Sequence, residues 1–156
     1  MNFLKVVIAF IAGVLITVIV LKLSAPGMVI TERQSPFDFD ATVKRIIKQS
    51  ETEGWEILKV YDMRKSIKKE GLEDIDRIKV IKVYKPRYAF GLLRKDKGKC
   101  VGALLPCGFA VFEKTDKKTY VASMNVEMIG NIFGGNIKHA MSQIADENKI
   151  ILEFLY

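Results

Sequence analysis

The chain reads as an α+β domain carried behind an N-terminal transmembrane helix, and three observations point there. Residues Phe3 to Leu23 form an almost unbroken apolar run, FLKVVIAFIAGVLITVIVLKL. Downstream, short segments with the two-residue alternation of strands are mixed with segments carrying the helical period. The two kinds do not alternate strictly, which favours a mainly antiparallel sheet covered by helices over a parallel βαβ array. The expected form is a compact two-layer domain over residues 31–156, joined by a linker at 24–30 to the apolar segment at 3–23.

A helix over Phe3–Leu23 would be about 31 Å long, which matches the hydrocarbon core of a bilayer. Its flanking Lys5 and Lys22 can snorkel to the interface. A cleavable signal peptide is the alternative, with Lys5 as its n-region and Val6 to Leu21 as its apolar core. The exit Leu23-Ser24-Ala25-Pro26 argues for an uncleaved anchor, because cleavage after Ala25 would leave Leu at the −3 place and Pro at the mature start. Lys22 and Arg33 after the segment nearly balance Lys5 and the amine before it. The favoured orientation is a single pass, with the N-terminus cytoplasmic and the C-terminal domain external (periplasmic in a cell with two membranes).

In the remaining chain, Met28 to Arg33 is a strand candidate. Asp38 is a good N-cap for a helix, with Phe37 placed to staple back onto its first turn. Phe39, Val43, Ile46 and Ile47 recur on one helical face, and Gly54 ends the helix. Trp55 to Met63 reads as a strand, and Arg64 to Asp76 as irregular or briefly helical. Arg77 to Tyr84 is the clearest strand by alternation, with Ile78 and Val80 on one face and Ile81 and Val83 at mixed positions. Pro86 suits the first position of a short helix over Tyr88 to Leu93. Two β segments follow, Val101 to Lys114 and Thr119 to Met124. Gly134-Gly135 precedes a last helix with Ile137, Ala140, Met141, Ile144 and Ala145 on one side.

The net charge of +7 is unevenly placed. Arg64 to Lys99 carries thirteen basic against five acidic residues, while the flanking segments are close to balance or acidic. These basic residues alternate with apolar ones and lack aromatic interleaving, which weighs against nucleic acid. A solvated face is the plain reading; attraction to anionic lipid headgroups is the functional one.

The stretch Gly102-Ala103-Leu104-Leu105-Pro106-Cys107-Gly108-Phe109-Ala110-Val111-Phe112-Glu113 resembles the "LLPCrvaVyE" core of the bacterial and archaeal domain-of-unknown-function family 302. Three further pieces agree in order: Ser35-Pro36-Phe37-Asp38-Phe39, Lys85-Pro86-Arg87-Tyr88-Ala89 and Val121-Ala122-Ser123-Met124-Asn125. The likeness spans roughly residues 28 to 148. It implies a compact α+β domain that often self-associates, hence a homodimer, with no established reaction. Where the family commonly has Cys-Asn-Pro, this chain reads Tyr84-Lys85-Pro86, so no role of that Cys carries over.

Cys100 and Cys107 are the two cysteines. A strand between them would hold them about 23 Å apart, beyond disulfide reach unless the chain doubles back. Pro106 could kink the strand and aim the Cys107 thiol into a pocket. Cys107 is therefore the candidate ligand-binding or thiol residue, set against a plain buried hydrophobe. His139 is the single histidine. With Met124, Met128 and Met141 it forms a formal set for soft-metal or haem ligation, against core-filling methionines and a solvated histidine. The glycines lack phosphate-loop spacing, and no Ser-His-Asp or paired-carboxylate pattern emerges. Two function classes follow. One is a non-enzymatic, membrane-tethered envelope domain that binds a partner or small ligand. The other is a thiol- or cofactor-dependent redox protein using Cys107, its cofactor unspecified.

Overall fold

The computed structural model describes residues 3–156, with the side chains of residues 4, 21 and 23–26 outside the description. Helix α1 (Phe3–Val29) leads directly into strand β1 (Ile30–Gln34), so helix occupies much of the expected linker. The apolar side chains of α1 are exposed on every side, from Ile8 and Phe10 through Leu15, Ile16 and Ile19. Among the described residues no helix is long and apolar enough to cross a membrane, so the expected transmembrane span is not established by the fold. The exit Leu23-Ser24-Ala25-Pro26, on which anchor and signal peptide divide, lies outside the described side chains.

Helix α2 (Phe39–Thr52) starts where Asp38 Oδ1 accepts the Ala41 amide at 2.8 Å. This satisfies one of the orphan donors of the first turn. The Phe37 ring lies 5.9 Å from that of Phe154 and under the Arg45 guanidinium of α2. Gly54, at φ +74°, turns the chain out of α2 into strand β2 (Glu56–Asp62). Helix α3 (Met63–Lys69) follows, then strand β3 (Ile78–Tyr84) and helix α4 (Pro86–Leu93).

The next segment departs from expectation. Val101 to Pro106 is not strand: the chain makes a short helix α5 (Asp96–Lys99), a 3-10 turn over Cys100–Leu104, and only then strand β4 (Cys107–Glu113). Pro106 has no N–H to donate to a ladder, so the strand starts after it. Gly98 lets the turn approach α4 closely, since a Cβ there would lie 1.9 Å from the Leu92 carbonyl oxygen. Strand β5 (Thr119–Met124) completes the hairpin. Helix α6 (Val126–Phe133) was not legible in the sequence. It is capped by Asn125 Oδ1, which accepts the Met128 amide at 3.1 Å, and Gly130 lets it lie against α7. Helix α7 (Gly135–Ile151) then crosses the domain.

The five strands form one antiparallel sheet in the order β1-β5-β4-β3-β2. One face packs under α2, α4 and α7. There Ile81, Val83, Phe109, Val111 and Val121 meet Phe39, Ile46, Met141, Ile144 and Ile151 in the buried core. Ile81 and Val83 thus share one face rather than mixed positions. The opposite face carries Ile30, Ile78, Val80, Ala110, Phe112, Ala122 and Met124, none of them buried.

Candidate functional site

A cleft opens where two strands part. The β4–β5 ladder ends at Phe109↔Ser123, while β4 stays paired with β3 as far as Cys107↔Val83. Beyond Phe109 the two strands diverge, with β5 held instead by β1 through Ile30↔Met124. The gap is a cleft of about 360 Å³ walled by Leu104, Leu105, Val80, Ala110, Ala122 and Met124. That volume falls within the about 300–1,000 Å³ of small-molecule sites.

Four polar groups mark it. Cys107 opens β4 at the cleft wall, half-buried and unpaired. Burial pushes its thiol pKa above the ordinary value, and the nearby Lys82 ammonium only partly offsets this. The thiol is therefore held protonated near neutral pH, whereas a reactive cysteine needs its pKa lowered. Lys82 lies across Gly108, where the lack of a Cβ leaves room for its stem, and its Nζ donates to the Pro106 carbonyl at 3.4 Å. Ser123 comes from the end of β5. Asn148, from α7 behind the sheet, also lines the cleft, and its Oδ1 is buried with no hydrogen-bond partner among the described residues. An orphaned buried acceptor costs about 1–3 kcal/mol.

A second polar group sits between α4, α7 and the start of β2. Glu147 accepts from Trp55 Nε1 and Lys85 Nζ, each at 2.7 Å, and from the Tyr88 hydroxyl at 2.6 Å. Lys85 Nζ also donates to the Glu53 carbonyl at 2.7 Å, closing the end of α2. Burial pushes the Glu147 carboxyl up, but the hydrogen bonds from Lys85, Tyr88 and Trp55 outweigh it and hold it below its ordinary value. Burial and the Glu147 carboxylate together push Tyr88 up to about 12. Every charge here has a partner. The group fastens α2, α4 and α7 together and holds no spare valence for chemistry.

The structure brings Cys107 and Met124 to one cleft and leaves the other sequence candidates apart from it. Met141 is buried in the core against Gly130, and Met128 is half-buried on α6. His139 is exposed on the outer side of α7, beside Arg87 and Arg94 of α4. Among the described residues no three of His, Cys, Asp and Glu gather to hold a metal ion. Cys100 lies exposed in the 3-10 turn, its Sγ donating to the Lys97 carbonyl at 3.5 Å, and both cysteines are free. Sequence reasoning missed Lys82 and Asn148. Lys82 was visible only as one lysine of an alternating strand, and Asn148 had no signal beyond its place on a helix.

Comparison with known proteins agrees with this fold. The family described as "Domain of unknown function DUF302" matches residues 31–154. The crystal structure of an uncharacterised conserved DUF302 protein from Bacillus stearothermophilus superposes with a TM-score of 0.72 at 18% identity, covering 83% of this chain and 99% of that one. At that identity the likeness concerns the fold. No curated protein matches the chain.

Proposed function

The chain belongs to the DUF302 family, and since that family carries no assigned activity, we propose from the chain's own geometry that it is a membrane-tethered envelope domain binding a small ligand in the cleft between β4 and β5. The carrying observation is the cleft itself: an apolar pocket with one ammonium, Lys82, in its lining. Such a lining suits an apolar body ending in an anionic group that accepts from Lys82. A short-chain carboxylate or a related amphiphile has that chemistry. The protonated Cys107 thiol packs against the apolar part, so the reading is binding rather than redox catalysis. The tether rests on the Phe3–Leu23 sequence and on the exposed apolar side chains of α1.

Thiol protection tests the cleft. Full-length protein in neutral detergent is alkylated with iodoacetamide in rising octanoate or octanol. Octanoate should slow modification of Cys107 saturably and leave the exposed Cys100 unaffected, and Lys82→Met should erase the preference for octanoate over octanol. Equal rates at both cysteines with no protection would sink the cleft as a binding site. Recovery of the intact chain in the soluble fraction without detergent would remove the tether and leave the cleft standing.

A further inference from the structure

The basic residues of the middle third are sorted by the fold. Arg64 pairs with Asp74, Arg77 and Lys79 with Asp40, Lys85 with Glu147, and Lys99 with Asp96. Several lysines of the stretch stand without an ion pair, and of its four arginines so do Arg87 and Arg94. Among the described residues neither meets a carboxylate within ion-pair distance. They fall seven residues apart, Arg87 in the first turn of α4 and Arg94 at its C-cap in helical backbone, hence on one side of that helix. Asn136, His139 and Gln143 form the facing stripe of α7, again at helical spacing. The small residues Gly91 and Ala140 floor the groove between the helices, which encloses about 230 Å³ and has no carboxylate in its lining.

We propose that this α4–α7 groove binds a phosphate group, independently of the cleft between β4 and β5. Each guanidinium presents about five N–H donors in a planar fork suited to tetrahedral oxyanions. The amides of Asn136 and Gln143 and the imidazole of His139 add donors on the opposite wall. A carboxylate has two oxygens and would leave much of this set idle; a phosphate uses it. Arg87 is steadied by the Tyr88 ring, with its guanidinium carbon 5.1 Å from the ring centre. The Glu147 carboxylate beyond the Tyr88 hydroxyl is already engaged by Lys85, Trp55 and Tyr88. The phosphate has two possible sources, a free phosphate ester or the headgroup of an anionic phospholipid.

His139 is the chain's single histidine, so its ring resonances report the groove without ambiguity. Full-length protein in neutral detergent is titrated with inorganic phosphate, with glycerol phosphate, and separately with micelles doped with phosphatidylglycerol; acetate at equal ionic strength is the control. A saturable shift with the soluble phosphates supports the site and assigns a free ligand. Saturation only with doped micelles supports it and assigns the headgroup. In either case Arg94→Gln and Arg87→Gln should each weaken binding by about tenfold. Both arginines are exposed, so circular dichroism of the variants should match the parent. Absence of a saturable shift with any phosphate, equal binding of acetate, or undiminished binding in both variants would overturn the proposal. None of these outcomes touches Cys107 protection, which reads the other site.

Discussion

The two faces of the sheet are built from the same strands and have different fates. On β3, Ile81 and Val83 point under the helices and are wholly buried, while Val80 and Lys82 point the other way and stay partly open. On β4, Phe109 and Val111 alternate with Gly108 and Ala110 in the same manner. The helix-side residues are large and interdigitate with α2 and α7. Those on the other side are small at the centre, with Ala110 opposite Ala122. The difference teaches where this fold keeps its stability and where it keeps its freedom. A strand side packed by helices is committed, whereas the other side, and the cleft where β4 leaves β5, can accept something from outside.

The comparison is broken most forcefully in the core. Ile81→Ala should cost about 3 kcal/mol, because it removes buried methyl groups and leaves a cavity under α2. Val80→Ala, one residue away on the other face, should cost less than about 1 kcal/mol. Denaturant unfolding of both variants measures the contrast, and equal losses would mean that the second face is also covered in solution.

Glu147 sharpens it next, since this carboxylate lies on the committed side and is largely shielded. Glu147→Gln should cost about 2 kcal/mol at neutral pH, because it leaves the Lys85 ammonium half-buried and without its counter-charge. The pH dependence has a definite sign. The folded Glu147 pKa lies below its ordinary 4.5, so its stabilisation is present above that value and is lost as pH falls through the folded pKa. Tyr88 is raised from 10 to about 12, so its contribution is complete below pH 10 and is lost as pH rises toward 12. Unfolding midpoints of the parent should fall at both extremes. In Glu147→Gln both slopes should flatten, and unchanged slopes would show that other groups set them.

The smallest effects belong to the cysteines. Cys107→Ala should cost about 1–2 kcal/mol, because the thiol packs against the core at the cleft wall. Cys100→Ser in the exposed turn should change stability by no more than about 0.5 kcal/mol. Thermal unfolding of the two variants decides the ranking, and the reverse order would place the cleft wall elsewhere.

Local patterns were readable because their causes are local. Asp38 caps α2, Gly54 ends it and Pro86 opens α4, each through its own backbone chemistry. The Ile137–Ala145 stripe was legible from period alone. The stretch before β4 was misjudged because apolar residues from Val101 to Leu105 suit a strand or a turn equally, and only Pro106 settles where pairing can begin. Helix α6 was missed because its eight residues are too few to display a period, and its stability comes from lying against α7 across Gly130.

The amino-acid sequence by itself determined the α+β class, the helix faces, the apolar N-terminal run and the interest of Cys107, because propensity, capping and periodicity act over a few residues. The tertiary structure alone decided which groups stand beside that thiol. Lys82 arrives from β3, Met124 from β5 and Asn148 from α7, and the cleft exists because β4 and β5 stop pairing two residues before β4 and β3 do. No local rule records where a ladder ends, since that depends on how the helices behind the sheet and the turn at Pro106 draw the strands apart.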